Sequence, residues 1–217
     1  MILEALFYNS TMLYDIHIHS RYSDGEAGPE EIIKRAKSLG LGGIALTDHD
    51  EIKGALEALK YDSPDFKVIP GIEVSSLDGH ILAIGVQEIV PKCLTAEETI
   101  KRIHDIGGIA VAAHPFDRLR SGVGFLAFEA GFDAVEVYNG HTIMSTMTSS
   151  EMLKELEKIP AVGGSDAHLL CEIGSVVMDM EGDPIDSIMK GRVKISVNIS
   201  KAKILLNHFK RRMARRK

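Results

Sequence analysis

The stretch Tyr14-Asp15-Ile16-His17-Ile18-His19-Ser20 decides how the rest of the chain is read. It is a short apolar run that carries two histidines two residues apart. In a strand such residues point to the same face, so His17 and His19 aim together. Two imidazoles at that spacing can converge on one cation. A lone His-x-His pair also occurs on strands by chance, so its meaning depends on what surrounds it.

Outward from this stretch, apolar β-type runs at 14–18, 43–47, 67–72, 80–86, 109–113, 133–138, 160–164 and 193–197 alternate with helical patterns. Most of the runs are continuous rather than alternating, as in parallel strands buried on both faces. The helices have recognisable ends. Pro29, Glu30 and Glu31 open the first, Ile32, Ile33, Ala36 and Leu39 mark its face, and Gly40 closes it. A second follows Asp50, with Ile52, Leu56 and Leu59. A third opens on the capping box Thr95-x-x-Glu98 and carries Ile100, Ile103 and Ile106. A fourth uses Met152, Leu153, Leu156 and Ile159, a fifth starts at Asp183-Pro184, and the last starts near Ser200. Alternating βα units imply a parallel sheet with right-handed crossovers, open or closed.

Polar residues at the run ends favour closure. His17 and His19 end the first run, Asp48 and His49 follow the second, and Glu73 follows the third. His80 opens the fourth, His114 ends the fifth, Glu136 lies in the sixth, and Asp166 and His168 follow the seventh. Ligands recurring at the carboxyl ends of successive parallel strands are how barrels assemble sites. Each cluster alone reads equally well as a loop cap. All of them at one rim would be costly to bury without a cation. His104 reads as a surface or packing residue, and His141 and His208 as residues outside the chemistry. Glu136 reads as structural, with a supporting role behind the ligands as the alternative.

These residues resemble the PHP family (polymerase and histidinol phosphatase domains). The motifs are Asp15-Ile-His17-Ile-His19-Ser20 with Ser23-Asp24-Gly25, then Thr47-Asp48-His49-Asp50, Pro70-Gly71-Ile-Glu73, His80, Ala113-His114-Pro115 and Gly164-Ser165-Asp166-Ala167-His168. The resemblance spans about residues 13–195 and implies a distorted (β/α)7 TIM-like barrel with two or three divalent ions. It implies a first ion on His17, His19, Glu73 and Asp166, and a second on Glu73, His80 and His114. A third would use Asp24, His49 and His168. Asp24 stands where some members have a histidine, which points to a weaker or harder third site. Nitrogen and oxygen donors without thiolate suit zinc, manganese or iron.

The bulk numbers fit a soluble globular domain. The 217 residues are 45% hydrophobic and 26% charged. Cys93 and Cys171 form no metal or disulfide pattern, no run is long enough to span a bilayer, and a cytoplasmic setting is expected. Residues 1–12 read as an extension, 13–198 as the catalytic domain and 199–217 as a basic amphipathic tail. That tail holds eight of the 25 Lys and Arg residues within 201–217 and reads as a helix packed on the barrel with its charged end in solvent, with a nucleic-acid handle as the alternative. Arg21, Arg118 and Arg120 are candidates for gripping phosphate. The expected activity is hydrolysis of a phosphomonoester, or of a nucleotide or oligonucleotide phosphoester, by a metal-activated hydroxide. His17, His19, Glu73 and Asp166 carry that reading. Histidinol-phosphate phosphatase and a non-catalytic module binding RNA or a protein are the alternatives. Amidohydrolase chemistry lacks a candidate carbamylated lysine.

Overall fold

The computed structural model describes residues 11–117, 119–142, 154–199 and 206–207. Among the described residues, nine strands form one sheet: β1 (Thr11–Asp15), β2 (Gly43–Leu46), β3 (Lys67–Ser75), β4 (His80–Ile84), β5 (Ile109–Ala112), β6 (Ala134–Asn139), β7 (Ala161–Gly164), β8 (Val176–Glu181) and β9 (Val193–Val197). Their order is β7-β6-β5-β4-β3-β2-β1-β8-β9. The helices are α1 (Pro29–Ser38), α2 (Lys53–Ala58), α3 (Ala96–Asp105), α4 (Leu126–Glu129) and α5 (Pro184–Met189).

The sheet is nearly closed, as expected, but it is mixed rather than parallel. β1, β2 and β3 run parallel, as do β5, β6 and β7. Between them β4 is antiparallel to both neighbours. Only Ser76–Gly79 join β3 to β4, too few residues for a crossover. A hairpin is the only solution, and Asp78-Gly79 provides its turn. β8, absent from the sequence expectation, pairs antiparallel with β1 and with β9. Thr11 and Met12, in the segment read as an extension, belong to β1 and pair with Glu181 and Met180.

Closure occurs at the histidine end. The ladder of β1 stops at Asp15, yet the chain stays extended and bridges β7's continuation at Ile18 and Ala167. His19 N donates to Ala167 O at 2.8 Å, and Ala167 N donates to His17 O at 3.2 Å. A Cβ on Gly164 would lie 2.5 Å from that of His17, so only glycine lets the two chains approach this closely. The strands thus surround an apolar interior that includes Tyr14, Ile16, Leu82, Val111, Val162 and Met178. A second layer, including Ile32, Ile44, Val68, Ile81 and Ile103, packs the strands against the helices.

The helix ends agree with the sequence reading. Pro29 opens α1, and Gly40 follows it with φ +76°. Thr95 caps α3 by accepting from Glu98 N at 3.2 Å. The fourth expected helix lies partly outside the described residues, as do Arg118, His208 and most of the tail.

Candidate metal centre

The rim of the barrel gathers its polar side chains around one buried carboxylate. Glu73, near the end of β3, is fully buried. Its Oε2 lies 3.2 Å from His17 Nε2, 3.0 Å from His19 Nε2 and 3.2 Å from His49 Nδ1. Its Oε1 lies 2.9 Å from His80 Nδ1 and 3.0 Å from His114 Nε2. His17 and His19 come from the segment after β1, His49 and His114 from the connections after β2 and β5, and His80 from the start of β4, so closure of the barrel brings them together.

Asp166 faces the same centre. Its Oδ1 is 3.3 Å from His19 Nε2 and 3.7 Å from His17 Nε2. Its Oδ2 accepts from Arg120 and, at 3.1 Å, from Asn139 Nδ2. One oxygen is therefore held by the protein and the other is left for the ring. His114 and Asp166 both have left-handed backbones, with φ 31° and 55°. Such residues carry strain of about 1–3 kcal/mol, sustained by packing on all sides, and here it turns both donors inward.

A more open group adjoins this core. Asp24 Oδ1 is 3.0 Å from His168 Nε2, 3.8 Å from His49 Nε2 and 4.0 Å from His19 Nδ1. The side chains of Asp24 and His49 are 35% and 26% exposed, while those of His17, His19, Glu73 and Asp166 are fully buried. Asp48 does not join this group. It accepts from Ser20 N, Ser20 Oγ and Ser23 Oγ at 2.7, 2.6 and 2.6 Å, and so shapes the turn that presents Asp24.

The donor set fits divalent cations. His17 Nε2, both ring nitrogens of His19, Glu73 Oε2, His80 Nδ1 and Asp166 Oδ1 are buried without a hydrogen-bond partner. Buried polar atoms are rarely left so, and here they converge. Among the described residues, groupings of donor atoms within 4.8 Å are His17-His19-Glu73-Asp166, His19-Asp24-His49-His168 and His49-Glu73-His80, with a fourth, His141-His168-Glu172, beside them. Without a cation, protons take its place. Burial opposes charge on His19, but the Asp166 and Glu73 carboxylates beside its Nε2 outweigh it and raise its pKa to about 9. Burial also opposes charge on His17, where the Asp166, Glu136 and Glu73 carboxylates prevail and raise its pKa well above the ordinary value. His49 is pushed down to about 4 by burial, against the pull of Glu73.

Of the three arginines, Arg120 reaches the ring through Asp166 and Asn139. Arg21 is exposed and paired with Glu31 at the start of α1. Two groups read as uninvolved lie against the ring. Glu136 Oε1 is 3.0 Å from His17 Nδ1, and its Oε2 accepts from His114 N at 2.8 Å. His141 is buried beside Asp166 and His168. Glu136 carried a usable signal, being a carboxylate in the middle of an otherwise apolar strand. His104 pairs with Asp133 at 2.7 Å, away from the ring.

The fold is that of PHP-like metal-dependent phosphoesterases. A model of the PHP domain matches residues 15–172, and the chain belongs to that family. A second model, described as PHP-associated, matches residues 149–212. An uncharacterized protein of Methanocaldococcus jannaschii is 33% identical over 160 residues, covering 67% of this chain and 94% of that one. Phosphoribosyl 1,2-cyclic phosphate 1,2-diphosphodiesterase of Eggerthella lenta is 30% identical over 151 residues, covering 64% of this chain and 55% of that enzyme. Among solved structures, a two-domain protein of Bacteroides vulgatus containing a predicted PHP-like metal-dependent phosphoesterase aligns with a TM-score of 0.71 and 17% identity. That alignment covers 87% of this chain and 65% of the other. This chain thus spans little more than half of the named enzyme's length. No helix among the described residues is long and apolar enough to cross a membrane.

Proposed function

We propose that the protein is a metal-dependent phosphoric ester hydrolase acting on a small phosphorylated molecule, a phosphomonoester or the phosphoester of a nucleotide or short oligonucleotide. The observation that carries the reading is Glu73, one buried carboxylate within 3.2 Å of five histidines. His17, His19, Glu73 and Asp166 would hold one cation, and Glu73, His80 and His114 a second. Asp24, His49 and His168 would hold a third. Zinc, manganese and iron all suit these donors. Such cations, when bound, make hydroxide available near neutral pH and offset charge on a phosphoryl group.

The chain's own residues do the rest. Glu136 orients His17 through Nδ1, leaving Nε2 for the centre. Asn139 and Arg120 hold one oxygen of Asp166 so that the other faces inward. Among the described residues, Arg120 is the arginine that reaches the ring, placed to meet a substrate phosphate with its planar fork. Arg118 follows His114-Pro115 in sequence and is assigned a supporting role in that grip, and Arg21 an outlying one. The cyclic ribose phosphate in the name of the E. lenta relative agrees with a sugar-phosphate or nucleotide substrate.

The test is a panel of phosphorylated metabolites, histidinol phosphate, nucleotides and short oligonucleotides, assayed with Mn²⁺ or Zn²⁺. Glu73→Ala and His17→Ala should abolish turnover while circular dichroism shows the fold intact. Turnover at the wild-type rate in either variant overturns the reading.

A further inference from the structure

We propose that His141 and Glu172 form a positioning pair that fixes His168 and thereby sets the affinity of the third cation site. The inference rests on the reading that Asp24, His49 and His168 hold a cation.

His141 leaves the end of β6 with its backbone pinned. Gly140 N donates to Gly164 O at 3.0 Å, and His141 N donates to Asn139 Oδ1 at 2.9 Å. The side chain is buried and lies over the segment after β7. Its ring stacks on that of His168, with centroids 5.2 Å apart and planes at 30°. The His19 ring lies 4.3 Å from His168, so His168 contacts both rings. His141 Nε2 is 3.2 Å from Glu172 Oε2. That same oxygen accepts from His168 N at 2.9 Å and Leu169 N at 3.0 Å. One fully buried carboxylate therefore holds the ring that stacks on His168 and the backbone that carries it.

The tautomer of His168 is set as well. Its Nδ1 lies 2.8 Å from Asp166 O, which can only accept, so Nδ1 carries the hydrogen. Nε2 is left with its lone pair, 3.0 Å from Asp24 Oδ1. A small rotation of His168 would move that lone pair off the site. The other donors of this group cannot compensate, since the Asp24 and His49 side chains are partly exposed and less constrained. Partners that orient a ligand histidine typically change metal affinity by about 10–100-fold. Burying a charged carboxylate costs several kcal/mol unless it is hydrogen-bonded, and Glu172 Oε2 accepts from two backbone N–H groups of this segment.

The experiment is Mn²⁺ titration by calorimetry, with elemental analysis, on the full chain and on His141→Phe and Glu172→Gln. Phenylalanine keeps the stack and removes the nitrogens. Glutamine keeps the shape and one accepting oxygen. Both variants should retain two tightly bound Mn²⁺ and lose at least about tenfold in affinity for the third. Wild-type affinity for the third ion in both variants overturns the inference, and so does simultaneous loss of all three. Should His141→Phe not fold, Glu172→Gln decides on the same criterion. A wild-type chain that binds fewer than three Mn²⁺ refutes instead the third-site reading on which the inference rests.

Discussion

Stripping the cations should reverse the pH dependence of stability between pH 6.5 and 9. In the metal-free protein, burial disfavours a charged His19, but Asp166 and Glu73 outweigh it and raise its pKa from 6.5 to about 9. A group whose folded pKa is raised contributes stability that is fully present below the unfolded pKa and lost as pH rises through the folded one. At roughly 1.4 kcal/mol per pKa unit, His19 alone accounts for about 3 kcal/mol. His17 shifts in the same direction and adds to the loss. Other shifted groups fall outside the window. Burial raises Asp15 to about 6, so its effect ends near pH 6. Burial lowers His49 to about 4, and its effect is complete by pH 6.5. The loaded protein should behave oppositely, because ligation requires neutral imidazoles and proton competition fades as pH rises. The assay is urea unfolding of chelator-treated and metal-loaded protein at pH 6.5, 7.5 and 9. A loss of about 3 kcal/mol is a large part of the 5–15 kcal/mol typical of a domain and is readily measured. Metal-free stability that stays level or climbs across the window would refute the argument, because the carboxylates would then not be holding protons on the ring.

Glu136→Gln leaves an oxygen for His114 N but weakens the hold on His17 Nδ1. It should lower cation affinity by about 10–100-fold with the fold retained, as read by calorimetry. Asp24→Asn removes the only carboxylate of its donor group. Elemental analysis should then find two cations per chain, and three would count against the assignment. Gly25→Ala places a Cβ 2.3 Å from His19 O, where backbone cannot yield. It should destabilise the metal-free chain by about 1–3 kcal/mol in urea unfolding, and unchanged stability would show that the turn is free to move.

The parts of the fold legible in the sequence are those written locally. The capping box at Thr95 and Glu98 and the proline start of α1 depend on neighbours within one helical turn. Strand direction is not written this way. β4 reads Ile81-Leu82-Ala83-Ile84, and all four side chains are buried. A strand covered on both faces has the same apolar run in either direction, so continuity alone could not separate parallel from antiparallel. The discriminating signal was loop length, since Ser76–Gly79 cannot cross a sheet. β8 was overlooked because Asp179 interrupts Val176-Val177-Met178 and Met180, although its buried residues complete the interior beside β1.

The ligand ring and its supports differ in the same way. Histidine has a recognisable motif because a cation demands particular donors at strand ends, and all nine expected ligands lie around the rim. Glu136 and Glu172 answer to a weaker demand, an acceptor facing one ring nitrogen or one backbone amide. Glu172 meets His141 from 31 residues away in sequence and His168 from four, so no single spacing marks it. The arginines show the limit from the other side. Arg21 directly follows the first motif and Arg120 stands six residues after His114, yet Arg120 reaches Asp166 while Arg21 turns back to Glu31. Nearness to a motif along the chain therefore does not choose which arginine reaches the ring. The choice is made by which loop the closing barrel folds over the rim. The loop after β5 folds back on β4, with Ser121 O accepting from His80 N at 2.7 Å, and that contact brings Arg120 to the ring.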